Sequence, residues 1–147
     1  MEFLLFLDGK EQEILELIYK ANYKVEENTP LCLLGKDFFG FLKKKQRKVV
    51  ICTKNAKEYG GYSFLKEDAF KTGLMIRRAI RHEAVHIAQQ CNNGNLLNLK
   101  DIKMSPYKIK SLQASVKLTG QREEEYEAYA LEDSPRMVIK ALRTYCL

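Results

Sequence analysis

The chain has 147 residues, of which 46% are hydrophobic and 30% are charged. These values are typical of a globular protein that buries its own core, and they exclude a low-complexity or repeat protein, so we treat residues 1–147 as one domain. The formal net charge is +6, but no nucleic-acid recognition motif accompanies it, and nucleic acid is not an expected partner.

The N-terminal segment MEFLLFLDGK (1–10) carries an apolar run of five residues. No positive region precedes this run and Asp8 ends it, whereas a signal peptide needs a basic n-region and a membrane span needs about 20 apolar residues. We therefore expect a cytoplasmic protein with no membrane partner, and either a buried strand or a helix lead-in at this end. Asp8-Gly9 then caps a helix over KEQEILELIYKANY (10–23).

The four cysteines stand at positions 32, 52, 91 and 146. No two of them have the CxxC spacing of a metal knuckle or a redox pair. Without a secretion signal the default is reduced thiols in a cytoplasm, and Cys52 and Cys91 lie among apolar neighbours that suit small buried side chains. We therefore expect free thiols that do not bind zinc.

Two apolar, β-favouring runs, DFFGFLKK (37–44) and RKVVICTKN (47–55), flank a lysine-rich link and predict a β-hairpin. Its clearest strand is Val49–Ile51. Before the hairpin, LCLL (31–34) is a short buried run that predicts a strand or a turn. After it, YGGY (59–62) predicts a loop, because paired glycines are costly in regular structure.

Helical periodicity then runs from about residue 68 to about residue 91, and NNGN (92–95) stops it, with Gly94 suited to a left-handed cap. Two Ser-Pro pairs are helix-start signals in the remaining chain. Three more helices are predicted, over about 105–119, about 121–133 and from 134 to near the C-terminus. The order of helix, small antiparallel sheet, long helix and three more helices predicts an α+β fold that is mostly helical.

The only two histidines of the chain are His82 and His86, and Glu83 directly follows the first, in the segment HEAVH. Four residues along an α-helix turn about 400° and rise about 6 Å, so both imidazoles leave the same face one turn apart and their nitrogens reach one ion. Zinc takes neutral imidazole nitrogen readily. The segment is the HExxH arrangement of zinc metalloproteases, and it predicts one bound Zn²⁺.

Glu83 is the predicted catalytic residue. It is turned about 100° from His82, so it flanks the ion rather than binding it. From there its carboxylate takes a proton from a zinc-bound water and later delivers that proton to a leaving group. The metal makes this possible because it lowers the pKa of the water from about 15.7 toward 7. The competing interpretation is two ordinary histidines on an ordinary helix.

A third ligand has to come from elsewhere in the chain, since catalytic zinc usually has three protein ligands and an open position. There is no third histidine, which excludes the long metzincin pattern and leaves a carboxylate or a thiolate. The richest supply of carboxylates is REEEYEAYALEDSP (122–135), on a separate predicted helix.

HEAVH (82–86) and EYEAYA (125–130) together resemble the gluzincins, the HExxH zinc peptidases whose third ligand is a glutamate from a later helix. The strand VVIC (49–52), followed by a glycine loop, also resembles the strand that precedes the active-site helix in minimal zincins. The resemblance implies a zincin-like fold, with the small sheet packed on the long HExxH helix.

The same resemblance implies Glu125 as the third zinc ligand, with Glu127 and Glu124 as alternatives. Tyr129 stands where larger gluzincins often have Asp or Asn, so the register is left open among the three glutamates. Ala128 makes physical sense beside a ligand, because a small side chain lets two helices approach closely.

Zincins usually need a donor for the oxyanion of the tetrahedral intermediate. Tyr62, on the glycine loop, is the possible oxyanion donor that we single out. Further candidates are Tyr126, Tyr129 and Arg81. Gln89 lies three residues past His86, near the same face, where it either orients that histidine or simply packs.

The leading interpretation is a zinc metallopeptidase that hydrolyses bonds in a peptide or protein substrate, with the strand edge near Val49–Cys52 pairing with an extended peptide. The alternative is a zincin-like zinc-binding scaffold without proteolytic activity, in which a further ligand such as Cys91 closes the site. A basic nucleic-acid-associated protein with an incidental HExxH segment is a third possibility.

Overall fold

Residues 1–61, 66–99 and 104–147 are described by the structure, a computed structural model of the chain. The α-helices and β-strands of these residues are, in order, α1 (Gly9–Lys20), β1 (Lys24–Glu27), β2 (Gly40–Lys43), β3 (Lys48–Ile51), α2 (Thr53–Tyr59), α3 (Lys66–Cys91), α4 (Ile109–Thr119), α5 (Arg122–Leu131) and α6 (Pro135–Cys146). Short 3-10 turns lie at Glu2–Phe6, Pro30–Leu34 and Pro106–Lys108. The α+β class, mostly helical with a small sheet, is confirmed.

The sheet has the order β1-β3-β2. Strands β2 and β3 form the predicted antiparallel hairpin, but β1 pairs with β3 in parallel, so the sheet is mixed rather than antiparallel. The prediction that Val49–Cys52 offers a free edge was wrong, because β3 is the central strand. Strand β1 gave a weak signal because its four residues, KVEE, include two glutamates and only one buried apolar side chain.

Helix α3, which the long helical pattern predicts, is the centre of the hydrophobic core. Its apolar residues from Ile76 to Ala88 are buried, and it packs against α1, α2, α5, α6 and strand β2. It ends at Cys91, and Gly94 follows with a left-handed φ of 78°. The HEAVH segment therefore lies inside the protein rather than on its surface.

The C-terminal helices follow their start and stop signals closely. The pair Ser105-Pro106 opens a short 3-10 turn that leads into α4, and Gly120 ends α4 with a φ of 71°. Ser134-Pro135 opens α6 as predicted.

Helix α2 lies where the sequence predicts the end of a strand and a loop. It has only seven residues, too few for periodicity to reveal. Its position depends on a tertiary contact, because the Asn55 side chain donates hydrogen bonds to the carbonyl oxygens of Cys32, Gly35 and Phe38.

The expectation of free thiols was wrong. Cys32 is bonded to Cys52 and Cys91 to Cys146, with Cα atoms 5.6 and 5.2 Å apart. The partners are 20 and 55 residues apart in sequence, so only the fold brings them together. Cys91 is therefore not a free ligand for a metal.

None of the helices that the structure describes combines the length and the continuous apolar character that a bilayer crossing requires. The N-terminal segment forms the 3-10 turn Glu2–Phe6, a lead-in to α1 with Phe3 buried. The backbone N–H groups of Glu2 and Phe3 donate to the Glu27 carboxylate, which attaches this segment to β1.

Candidate metal centre

The two histidines lie on one face of α3, one turn apart. Their ring centroids are 4.9 Å apart, and both side chains are buried. This arrangement follows from the helical repeat alone, because side chains four residues apart project from neighbouring turns.

Glu125, in the first turn of α5, meets both imidazoles. Its Oε1 atom is 3.2 Å from Nε2 of His82 and 2.6 Å from Nε2 of His86. Ala128, one turn further along α5, is fully buried, and its small side chain lets α5 pack closely on α3.

The donor set fits a zinc ion. Two imidazole nitrogens and one carboxylate oxygen lie within 4.8 Å of one another, and two ligand atoms of a tetrahedral zinc are about 3.3 Å apart at ordinary bond lengths. The contact of 3.2 Å between His82 and Glu125 already has this spacing, and the contact of 2.6 Å between His86 and Glu125 is a hydrogen bond that an ion would have to widen.

The two alternative glutamates face other partners. Oxygens of the Glu127 carboxylate accept hydrogen bonds from the backbone N–H groups of Leu97 and Asn98. The carboxylate of Glu124 is 3.2 Å from the Lys44 ammonium group. Of the three glutamates left open by the sequence, only Glu125 faces the histidines.

Gln89 contacts His86 as the helix spacing suggests. Its Oε1 atom is 2.7 Å from Nδ1 of His86, and its amide nitrogen donates to Glu127 Oε1 and to the carbonyl oxygen of Glu124. Because both amide hydrogens are directed at acceptors, the oxygen is left to accept from Nδ1–H. With Nδ1 bonded to Gln89, Nε2 is the ring nitrogen of His86 that faces Glu125 and that would face a bound metal ion.

His82 has different neighbours, Tyr129 and Glu132. The Tyr129 ring centroid lies 4.4 Å from that of His82, and the Glu132 Oε1 atom is 3.8 Å from Nδ1. Glu132 is buried and was missed by the sequence reasoning. The sequence does contain a signal for its position, because residues seven apart share a helix face and Glu132 follows Glu125 by seven.

Charges in the cluster perturb one another. Burial alone raises the pKa of Glu125, but hydrogen bonds from His82 and His86 outweigh it and hold that pKa well below its ordinary value. Desolvation lowers the pKa of His82, yet Glu125 and Glu132 raise it well above its ordinary value. The buried His82 and Glu125 side chains thus stabilise each other's charged forms.

Glu83 is buried beside the histidines and makes no hydrogen bond with a described residue. Burial raises the pKa of Glu83 above its ordinary value, and the nearby His82 and His86 offset this only in part. Strand β2 comes close here, since a Cβ placed on Gly40 would lie 3.3 Å from the Glu83 carboxylate and 3.3 Å from Ala79 Cβ.

A cavity of about 640 Å³ opens at this cluster. Its lining includes His82, Glu83, His86 and Glu125, and its walls come from α3, α4, α5 and β2. Aromatic and aliphatic side chains contribute much of the lining, among them Phe38, Phe39, Phe41, Leu42, Met75 and Leu118. The volume is within the ordinary range for a ligand site, about 300–1,000 Å³.

Three of the four candidates for an oxyanion donor lie among the described residues, and each has different surroundings. Tyr62 lies outside the described residues, so its role stays a prediction. Tyr126 is 44% exposed and does not line the cavity. The Tyr129 hydroxyl bonds to Ser115, and the Arg81 guanidinium pairs with Glu11 and with the carbonyl oxygen of Glu132.

The chain belongs to the family described as Domain of unknown function (DUF8637), which matches residues 3–147. No curated protein and no solved structure matches the chain.

Proposed function

We propose that this member of the DUF8637 family is a zinc-dependent metallopeptidase with a gluzincin-like ligand set and a zincin-like fold. One observation carries the proposal: His82, His86 and Glu125 converge, and the adjacent Glu83 carboxylate has no hydrogen-bond partner among the described residues. A structural zinc site needs no uncommitted acid of this kind.

His82, His86 and Glu125 would hold the ion, which would supply Lewis acidity and lower the pKa of a water molecule. Glu83 removes a proton from the attacking water and returns it to the leaving amine as the peptide bond breaks. Burial supports this role, because a raised carboxyl pKa brings Glu83 closer to the pH at which it must both accept and release a proton. Gln89 keeps the Nε2 atom of His86 directed into the site.

An extended peptide segment has a suitable docking edge in strand β2. This strand pairs with β3 along one side and, among the described strands, has no partner on its other side. Gly40, Phe41 and Leu42 of β2 line the cavity. A substrate that pairs with this edge would run past Glu83.

The compartment is a separate part of the proposal. The sequence predicts a cytoplasmic location, but the two disulfides favour an oxidising compartment, where such bonds persist. The compartment is tested by counting free thiols in protein taken from its native cells with a reagent that traps thiols on lysis. Four reactive cysteines would indicate the cytoplasm, and none would indicate an oxidising compartment.

Metal analysis and the Glu83→Gln variant test the proposed activity. We expect one zinc per chain, and the variant should retain zinc and fold while peptide hydrolysis falls by about 10²–10⁴-fold, the usual contribution of a general base. Hydrolysis is measured on a peptide library, with Glu123→Gln as the control because Glu123 is exposed on α5. Wild-type protein that binds zinc and cleaves no peptide would support the scaffold alternative, and protein without zinc affinity would contradict both.

A further inference from the structure

We propose that Lys108 is a positioning residue of the metal centre, which acts on His82 through Glu132 and joins the α4 wall of the cavity to the zinc ligands. Lys108 lies outside the two segments that resemble gluzincins, at the end of the 3-10 turn that leads into α4. The proposal rests on the zinc site of the proposed function.

The ammonium group of Lys108 is buried and fully bonded. The side chain is 5% exposed, and its Nζ atom lies 2.9 Å from the carbonyl oxygen of Tyr129, 3.3 Å from Glu132 Oε1 and 2.6 Å from Asp133 Oδ2. Three acceptors satisfy the three donors of an ammonium group. An unpaired buried lysine is costly, so this placement implies a specific partner rather than incidental burial.

Lys108 has two carboxylate partners, of which Asp133 is the nearer and Glu132 is the one that faces His82. Oε1 of Glu132 is shared between Lys108 Nζ at 3.3 Å and His82 Nδ1 at 3.8 Å. A metal-binding histidine is commonly oriented by a carboxylate on its other ring nitrogen, and that orientation leaves Nε2 to the metal. Lys108 holds the Glu132 carboxylate on the Nδ1 side of His82, and its charge, together with that of Arg78 at 3.8 Å, offsets the charge of the buried carboxylate.

A second contact places α4 against the same histidine. The Tyr129 hydroxyl bonds to Ser115 Oγ at 2.7 Å and donates to the Ser111 carbonyl oxygen at 3.1 Å, while its ring packs on His82. Helix α4, which lines the cavity, thus reaches His82 both through Lys108 and Glu132 and through Tyr129. The α4 wall and the ligand geometry are therefore coupled.

The test compares Lys108→Met with Lys117→Met, a change of the same kind at an exposed position of α4 that does not line the cavity. Zinc affinity is measured by chelator competition, and the visible absorption spectrum of Co²⁺-loaded protein reports the ligand geometry. We expect Lys108→Met to weaken zinc binding about tenfold and to change the Co²⁺ spectrum, while Lys117→Met changes neither. Wild-type affinity and spectrum in folded Lys108→Met would overturn the proposal.

A double-mutant cycle tests whether Lys108 acts through Glu132. In a Glu132→Gln background, adding Lys108→Met should cause no further loss of zinc affinity, whereas an independent further loss contradicts the route through Glu132. The double variant also removes both charges of the buried pair, so this comparison remains decisive if Lys108→Met alone does not fold. Absence of zinc binding in the wild type would instead refute the proposed function itself.

Discussion

Helices α3 and α4 both line the cavity, but they are held in different ways. Helix α3 is packed on α1, α2, α5 and α6, and the Cys91–Cys146 disulfide fixes its end to α6. Helix α4 packs mainly on α5 and has just two buried residues, Leu112 and Ser115. The wall that carries HEAVH is thus part of the core, whereas the α4 wall is attached from one side.

This difference separates the needs of chemistry from those of substrate binding. Metal ligands require fixed positions, and the two proposed ligands on α3 lie on a helix at the centre of the hydrophobic core. A wall that packs mainly on one neighbouring helix costs less to displace than a core helix, which would suit a surface that admits the proposed polypeptide substrate. The two walls should therefore respond differently when their attachments are removed.

The largest effect is expected from opening the disulfide that holds α3. Cys91→Ser/Cys146→Ser removes a crosslink between residues 55 apart, which on chain-entropy grounds costs about 4 kcal/mol of unfolding free energy. The matched variant Cys32→Ser/Cys52→Ser opens a shorter loop, with a separation of 20, and should cost about 3 kcal/mol. Urea unfolding under non-reducing conditions measures both, and no loss in either variant would contradict the stabilising role.

An intermediate effect is expected where α5 meets α3. Ala128 is fully buried, so Ala128→Leu overpacks this interface at a cost of about 1–3 kcal/mol. Because the added volume pushes the helices apart, Glu125 should move away from the histidines and zinc affinity should fall as well. Ala69→Leu, at an exposed position of α3, is the control. Equal losses of stability and zinc affinity in the two variants would contradict a specific role for close packing at Ala128.

Sequence reasoning succeeded where the chain repeats a local rule. The placement of His82, Glu83 and His86 together on one helix follows from helix periodicity, and Gly94 and Gly120 mark helix ends because they take left-handed φ values. The α+β class followed in the same way from the order of such local signals.

What the sequence left open or predicted wrongly concerns contacts between distant parts of the chain. The choice among Glu124, Glu125 and Glu127 depends on how α5 is rotated against α3, which local periodicity does not fix; Glu125, the first choice, is the one that faces the histidines. Disulfide pairing, the parallel β1 strand and the buried Lys108 likewise depend on the tertiary fold. Lys108 in particular looks like one more surface lysine in a basic stretch until Glu132 and Asp133 are brought beside it.

The smallest effect is expected at the attachment of α4, where Asp133 pairs with Lys108 and Arg78. Burial raises the pKa of Asp133, but the hydrogen bond from Lys108 and the charge of Arg78 outweigh it and lower that pKa below its ordinary value. A lowered folded-state pKa means that the carboxylate stabilises the fold above the unfolded value of about 3.9, and that this contribution disappears as the pH falls through the folded value.

Asp133→Asn should therefore destabilise the protein at pH 6 and make little difference once the pH is well below about 4, where the wild-type carboxyl is protonated as well. Because the Asp133 side chain is 42% exposed, solvent screening limits the loss at pH 6 to under about 1 kcal/mol. Urea unfolding at both pH values measures the difference, with Asp37→Asn as the control at an exposed carboxyl. Hydrogen exchange should show faster opening in α4 than in α3, and equal acceleration in the two helices would contradict the separate attachment of the walls.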